Sequence, residues 1–156
     1  MNTRTLLLVE DNPDDEALAL RAFSRIAVSN EIVVARDGVE AMDYLFGGGN
    51  YRDRDINMTP AVVLLDLKLP RLDGFAVLSR IRAHELTRLL PVVMLSSSIE
   101  ERDIVRSYSL GANSYIRKSV DYDKFMKAAE TIGFYWFDLN EAPPCGKRPA
   151  APVDTR

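Results

Sequence analysis

The sequence predicts an α/β domain built on a doubly wound, five-stranded parallel sheet with helices on both faces. The first indication is segment 61–65, a continuous run of β-branched and aliphatic residues that is typical of a strand buried on both faces. The second is that four more short apolar runs alternate with segments of helical periodicity. Because crossovers between parallel strands are right-handed, this alternation places helices on both faces of the sheet.

The elements follow one another at regular spacing. Strands are predicted at 5–9, 31–35, 61–65, 92–95 and 114–117. The first helix is predicted to start at Pro13 with Asp11 or Asn12 as its cap, and the second follows Asp37. Further helices are predicted around 75–81, at 99–110 and at 121–137, with 104, 105 and 108 of the fourth helix facing inward. The polar loop 50–60 is expected to be mobile. The small version of such a fold has the flavodoxin-like strand order 2-1-3-4-5, with its site at the switch between strands one and three.

Composition limits the function classes. A chain of 156 residues with 47% apolar and 28% charged residues is typical of one globular domain, here expected over 1–140 with a disordered tail over 141–156. A net charge of −3 gives no electrostatic support for nucleic-acid binding. A single cysteine, Cys145, and the lack of a long apolar segment predict a cytoplasmic protein with no membrane partner.

Polar side chains follow four of the predicted strands at one edge of the sheet. Glu10 and Asp11 follow the first strand, Asp66 the third, Ser96 the fourth and Lys118 the fifth. Because the carboxyl ends of parallel strands lie side by side, these groups are expected to meet. Three neighbouring carboxylates repel one another, and a hard divalent cation such as Mg²⁺ resolves that conflict.

Acids, a lysine and a hydroxyl at one edge are typical of a site that binds a phosphoryl group. Asp66 is the predicted nucleophile, because a carboxylate can accept a phosphoryl group covalently. Lys118 and magnesium would neutralise the phosphoryl oxygens, and Ser96 would donate a hydrogen bond to the transferred group. A Lys118–Asp66 ion pair without chemistry is the alternative, but it does not account for four matching strand ends.

The motifs around these residues resemble the receiver domains of two-component response regulators, which have the CheY-like fold. The resemblance extends from about 5 to about 137 and rests on the segments LLVED (7–11), LD (65–66), LPRLDG (69–74), LSS (95–97), GA (111–112) and YIRK (115–118). It implies a phosphoacceptor signalling protein rather than an enzyme. Asp66 would take its phosphoryl group from a phosphohistidine of a sensor histidine kinase or a histidine phosphotransfer protein.

The resemblance also implies a magnesium site. Asp11, Asp66 and the backbone carbonyl of Lys68 would bind the ion, and Glu10 would act through water. No output domain is expected after Phe137, so phosphorylation would act through partner proteins.

Further roles follow from the same resemblance. Ser96 and Tyr115 would form the switch, in which the hydroxyl moves toward the phosphoryl group and the ring turns inward. Lys68 and Ser98 each lie two residues beyond a site residue, Asp66 and Ser96 respectively. They would flank the path of the hydrolytic water and tune the lifetime of the phosphoaspartate.

Two features are similar to stand-alone regulators paired with bacterial phytochrome kinases. They are the long loop after Leu45-Phe46 and the segment KSVD at 118–121. Ser119 stands where the family usually has a proline joined by a cis bond. A cis bond before a residue other than proline costs roughly 3–4 kcal/mol, so a trans Lys118–Ser119 bond is predicted.

Two other protein classes use a similar sheet. A haloacid-dehalogenase-like phosphatase requires an Asp-x-Asp-x-Thr motif after its first strand and usually a cap domain, whereas this chain has EDNP at 10–13. A flavodoxin requires a hydroxyl-rich phosphate loop at the same place, where this chain has acids. Both alternatives are therefore weaker than the receiver interpretation.

Four consecutive aromatic residues, Phe134 to Phe137, end the last predicted helix. Successive helix positions turn by ~100°, so the four rings cannot all reach one core. At least one or two must meet solvent, the tail or another chain. Phe134, Tyr135 and Phe137 are therefore candidate residues of a homodimer interface, and phytochrome-type regulators are often dimeric through this region.

Overall fold

The computed structural model describes residues 4–25, 27 and 29–144, which form a five-stranded parallel sheet in the predicted order 2-1-3-4-5. The strands are β1 Thr5–Val9, β2 Glu31–Ala35, β3 Val62–Leu65, β4 Val92–Ser96 and β5 Ser114–Arg117. The helices are α1 Pro13–Ala22, α2 Gly38–Phe46, α3 Gly74–Ala83, α4 Glu101–Ser109 and α5 Tyr122–Gly133. A short 3₁₀-helix at Gly49–Tyr51 follows α2, and a π-helix at Phe134–Leu139 continues α5. Most of the predicted tail, residues 145–156, lies outside the described residues.

The sheet carries a separate apolar core on each face because alternate strand residues point in opposite directions. On β1, Leu7 and Val9 enter one core and Leu6 and Leu8 enter the other. The first core is completed by residues of α2 and α3, and the second by residues of α1 and α5. All of β3 is fully buried, as its uninterrupted apolar run predicts.

Four helices begin at polar side chains that cap them. Asn12, Asp37, Asp73 and Asp121 each accept a hydrogen bond from a backbone N–H in the first turn of the helix that follows. Each cap lies shortly after a strand end, so it fixes where the chain turns away from the carboxyl edge of the sheet.

Helix α4 differs from its prediction. It begins at Glu101 rather than at residue 99, and Val105 and Tyr108 are 56% and 49% exposed rather than inward-facing. The buried residue of this helix is Ser107, whose hydroxyl donates to the carbonyl of Asp103 at 2.8 Å. Because α4 covers only the edge of the sheet at β5, its inward strip is too narrow for all the apolar residues that the sequence offers.

The loop 50–60 is held to α2, in contrast to the predicted mobile segment. Arg54 donates to the carbonyl of Tyr44 at 2.8 Å, and its guanidinium lies 3.9 Å from the centroid of the Tyr44 ring. Tyr51 packs edge-on against the same ring at 5.2 Å. Cation–π and edge-to-face contacts of this kind stabilise a polar segment that has few apolar residues.

The four aromatic residues of 134–137 divide between core and solvent. Phe134 and Tyr135 are 55% and 47% exposed, and Trp136 packs against the second core. Phe137 is only 7% exposed, so its assignment to a dimer surface is wrong. The π-helix changes the angular spacing of the rings and directs Phe137 to the face that α5 already buries.

Candidate functional site

The site lies at the carboxyl edge of the central strands. The register of β1 and β3 places Val9 opposite Leu65, so Glu10 and Asp66 follow adjacent strand ends. The backbone N–H of Asp66 donates to the carbonyl of Val9 at 3.2 Å. A Cβ on Gly74 would lie 2.2 Å from the backbone oxygen of Asp66, so only glycine lets α3 begin this close to the site.

Lys118 reaches the predicted carboxylates from β5. Its backbone N–H donates to the carbonyl of Ser96 at 2.8 Å, which aligns the ends of β4 and β5. Its ammonium donates to Asp66 Oδ2 at 2.9 Å and to Glu10 Oε1. The bond between Lys118 and Ser119 is trans, as predicted, since the described residues include no cis peptide bond.

Burial governs the charges of this cluster. Glu10 is 3% exposed and Asp66 is 9% exposed. Burial raises the pKa of Glu10 to about 7, opposed in part by its hydrogen bond with Lys118. Burial disfavours the charge of Lys118, but hydrogen bonds to Glu10 and Asp66 outweigh it, so its pKa is raised. A cation bound beside Glu10 would favour its charged form, which burial otherwise disfavours.

Three carboxylates form a group suited to a metal ion. Glu10, Asp11 and Asp66 each offer one oxygen, and these oxygens lie within 4.8 Å of one another. Hard divalent cations prefer such oxygen ligands. Asp11 is exposed, which leaves the group open on the solvent side.

Sequence reasoning missed Asp15, which it treated only as a favourable charge in the first turn of a helix. Its Oδ2 accepts a hydrogen bond from the ammonium of Lys118 at 3.0 Å. The signal that could have placed this acid near the site was its position in the first turn of α1, which begins just after the acidic end of β1.

The predicted switch residues are linked through Ser98. The N–H of Ser98 donates to Ser96 Oγ at 3.2 Å, and its carbonyl accepts from the Tyr115 hydroxyl at 2.9 Å. The Ser98 hydroxyl donates to Asp103 Oδ2 at 2.6 Å, so it binds the start of α4. Lys68 is exposed and its N–H lies 3.4 Å from Asp66 Oδ1.

The chain matches the response regulator receiver domain family over residues 6–130. It is 40% identical over 141 residues to the probable methanogenesis regulatory protein FilR2 of Methanothrix harundinacea, covering 88% of this chain and 86% of FilR2. It is 33% identical over 140 residues to response regulator Rcp1 of Synechocystis sp., covering 90% of this chain and 93% of Rcp1.

Solved structures agree with these matches. The phosphorylated cyanobacterial phytochrome response regulator RcpA aligns with a TM-score of 0.85 at 38% identity, over 91% of this chain and 99% of RcpA. The Mn²⁺-bound form of Rcp1 aligns with a TM-score of 0.82 over 90% of this chain and 99% of that structure.

Among the described residues, no helix is both long and apolar enough to cross a membrane. Family match and strand order agree, and the chain belongs to the response regulator receiver domain family, the signalling modules that partner with sensor histidine kinases.

Proposed function

We propose that the chain accepts a phosphoryl group on Asp66 from a phosphohistidine donor. The observation that carries this proposal is the contact of 2.9 Å between the ammonium of Lys118 and Asp66 Oδ2, beside Glu10 and Asp11. A buried carboxylate with an adjacent cation and an open acidic group suits phosphoryl transfer.

In the proposed transfer, a carboxylate oxygen of Asp66 attacks phosphorus. The P–N bond to the donor histidine breaks, its electron pair stays on the imidazole, and a P–O bond forms on Asp66. Lys118 lies where it can hydrogen-bond the phosphoryl oxygens as negative charge spreads over them. Ser96 is buried at the end of β4. Its proposed role is to donate a hydrogen bond from its hydroxyl to the transferred group.

The residues present fit a magnesium ion. Asp11, Asp66 and the backbone carbonyl of Lys68 would hold it, with Glu10 acting through water, and the ion would neutralise phosphoryl charge. The Mn²⁺-bound form of Rcp1 supports a divalent ion in this family. We choose magnesium because this ion is usually bound by few carboxylates and keeps several water ligands, which the open solvent side of the group allows.

The proposed donor is a sensor histidine kinase of the phytochrome type. Similarity to Rcp1 and RcpA supports this choice, since RcpA is a phytochrome response regulator. A histidine phosphotransfer protein would offer the same phosphohistidine chemistry. We also propose a cytoplasmic location and slow self-catalysed dephosphorylation, with Lys68 and Ser98 beside the path of the water.

Phosphotransfer with radiolabelled donor and magnesium tests the assignment. Asp66→Asn should acquire no label, because the amide cannot act as the nucleophile. Asp123→Asn, which changes an exposed acid in the first turn of α5, should be labelled like the wild type. Label on Asp66→Asn at the wild-type level would show that another residue is the acceptor.

A further inference from the structure

The ammonium of Lys118 has all three of its N–H donors engaged. They go to Glu10 Oε1, to Asp66 Oδ2 at 2.9 Å and to Asp15 Oδ2 at 3.0 Å. A lysine ammonium has three donors, so none is left for another acceptor. The side chain of Lys118 is 12% exposed, which leaves little room for water to replace one of these partners.

Asp15 differs from the other two acceptors in its position. It lies in the first turn of α1 rather than at a strand end, and its backbone N–H is fixed by Asn12 Oδ1 at 3.1 Å. Its side chain is 42% exposed, compared with 4% for Glu10 and 12% for Asp66. Water can therefore solvate the Asp15 carboxylate if Lys118 leaves it.

The charge of Asp15 is not needed to explain the helix start. Asn12 already caps α1, accepting from the N–H groups of Asp14 and Asp15 at 2.9 and 3.1 Å. Asp14 supplies a negative charge to the same first turn, and within the described part of the chain it takes part in no ion pair. Contact with Lys118 is therefore what distinguishes Asp15 from its neighbour.

We propose that Asp15 is a positioning residue that holds Lys118 in the resting site and releases it when Asp66 is phosphorylated. This inference rests on the proposed phosphorylation of Asp66. Lys118 must direct a donor to the phosphoryl oxygens, and each of its donors is already used. The bond to Asp15 is the one that yields, because Glu10 and Asp66 are 4% and 12% exposed and Asp15 is 42% exposed. Leaving either buried carboxylate unpaired costs more than leaving an exposed one to water.

Each transfer then exchanges a Lys118–Asp15 contact for a Lys118–phosphoryl contact. With acetyl phosphate as donor, the bond between phosphorus and the bridging oxygen breaks, acetate leaves with its electron pair, and a P–O bond forms on Asp66. Breaking the ion pair between Lys118 and Asp15 costs free energy, and that cost slows this step. Removing the contact should therefore accelerate it about two- to fivefold, the size expected for one partly exposed ion pair.

Phosphorylation rates from acetyl phosphate in magnesium test the proposal. Asp15→Asn keeps the shape of the side chain and loses its charge, so it should be phosphorylated about two- to fivefold faster than the wild type. Asp14→Asn makes the same charge change one residue away without touching Lys118, and should leave the rate nearly unchanged. Asp15→Glu keeps the charge and should return the rate toward that of the wild type.

A second measurement follows Lys118 directly. With ¹⁵N-labelled lysine, the ammonium resonance of Lys118 should shift in Asp15→Asn and not in Asp14→Asn. When beryllofluoride occupies Asp66 as a mimic of the phosphoryl group, the wild-type and Asp15→Asn resonances should coincide, because the contact has been released.

Equal rates for Asp15→Asn and Asp14→Asn would overturn the proposal, as would a resonance difference that persists with beryllofluoride bound. These outcomes differ from a failure of the proposed function. If the proposed function is wrong, Asp66→Asn will still be labelled. If only the role of Asp15 is wrong, the wild type, Asp15→Asn and Asp14→Asn will all be phosphorylated on Asp66 at equal rates.

Discussion

At the residue scale, the site depends on one cation shared by several acids. Lys118 contacts Glu10, Asp15 and Asp66, while Asp11 lies in the same acidic group without contacting Lys118 in the described structure. Asp11 is thus the acid whose charge remains available to an incoming cation. Its exposure also makes it accessible from solvent.

This division predicts that Asp11→Asn weakens magnesium binding strongly, by about tenfold or more, because a hard cation binds a neutral amide less well than a carboxylate. Isothermal titration with magnesium measures the change. Asp14→Asn is the matched control, because it makes the same change in the first turn of α1 and Asp14 does not belong to the acidic group. Phosphotransfer should also cease in excess chelator, and transfer at an unchanged rate would contradict the metal assignment.

Ser98 makes one observed contact with α4 and has one proposed role in dephosphorylation. Its hydroxyl binds Asp103 at the start of α4, and its position near Ser96 places it beside the predicted path of water. Replacing Ser98 with leucine should change the half-life of the phosphoaspartate.

The half-life can be followed by the decay of radiolabel after the donor is removed. Ser97→Leu, at an exposed neighbouring position, should decay like the wild type. Identical decay for substitutions at both Ser98 and Lys68 would exclude a role for these positions in dephosphorylation.

At the element scale, the end of α5 shows how local geometry selects among similar side chains. Phe134 and Phe137 are three residues apart in the π-helix, yet one is 55% exposed and the other 7% exposed. The backbone carbonyl of Phe137 also accepts a hydrogen bond from Arg4 at 2.8 Å, which joins this segment to the start of β1.

The two phenylalanines provide a matched pair for stability. Phe137→Ala should lower the free energy of unfolding by about 3–5 kcal/mol, because it leaves a cavity in the core beneath α5. Phe134→Ala should change it by roughly 0.5 kcal/mol or less in the monomer, as expected for a surface position. Urea denaturation of dilute protein measures both. Similar losses for the two variants would contradict the burial difference.

The sequence predicted the sheet and most of the site because both depend on local patterns. Apolar runs located all five strands, and the residues after three of them located Glu10, Asp66 and Lys118, which contact one another in the structure. The orientation of α4 was not predictable in the same way. A helical period shows that an apolar stripe exists, but only the neighbouring elements decide how wide a strip is covered, and Tyr108 falls outside it.

The contact of Asp15 with Lys118 was missed for a similar reason. A first-turn acid has a sufficient local explanation in the helix dipole, and its second partner lies 103 residues away in the chain. The burial of Phe137 depends on a π-helix, which no local propensity in the sequence indicated.

At the scale of the whole molecule, the exposed side chains that follow α5 are separate from the residues of the proposed phosphorylation site. Phe134, Tyr135 and Leu139 are 55%, 47% and 58% exposed and belong to the same π-helix. Large apolar side chains grouped on a surface are typical of an interface between chains. They leave the acidic edge of the sheet free for a phosphohistidine donor.

We therefore expect the protein to form a homodimer through this segment. Light scattering at micromolar concentration should give twice the monomer mass, because pairing buries the exposed rings of both chains. Phe134→Ser combined with Tyr135→Ser should be monomeric and still folded, since neither ring belongs to the core. Val105→Ser, which removes an exposed apolar side chain on α4 instead, should remain dimeric. A wild-type chain that is monomeric both before and after phosphorylation would disprove the dimer.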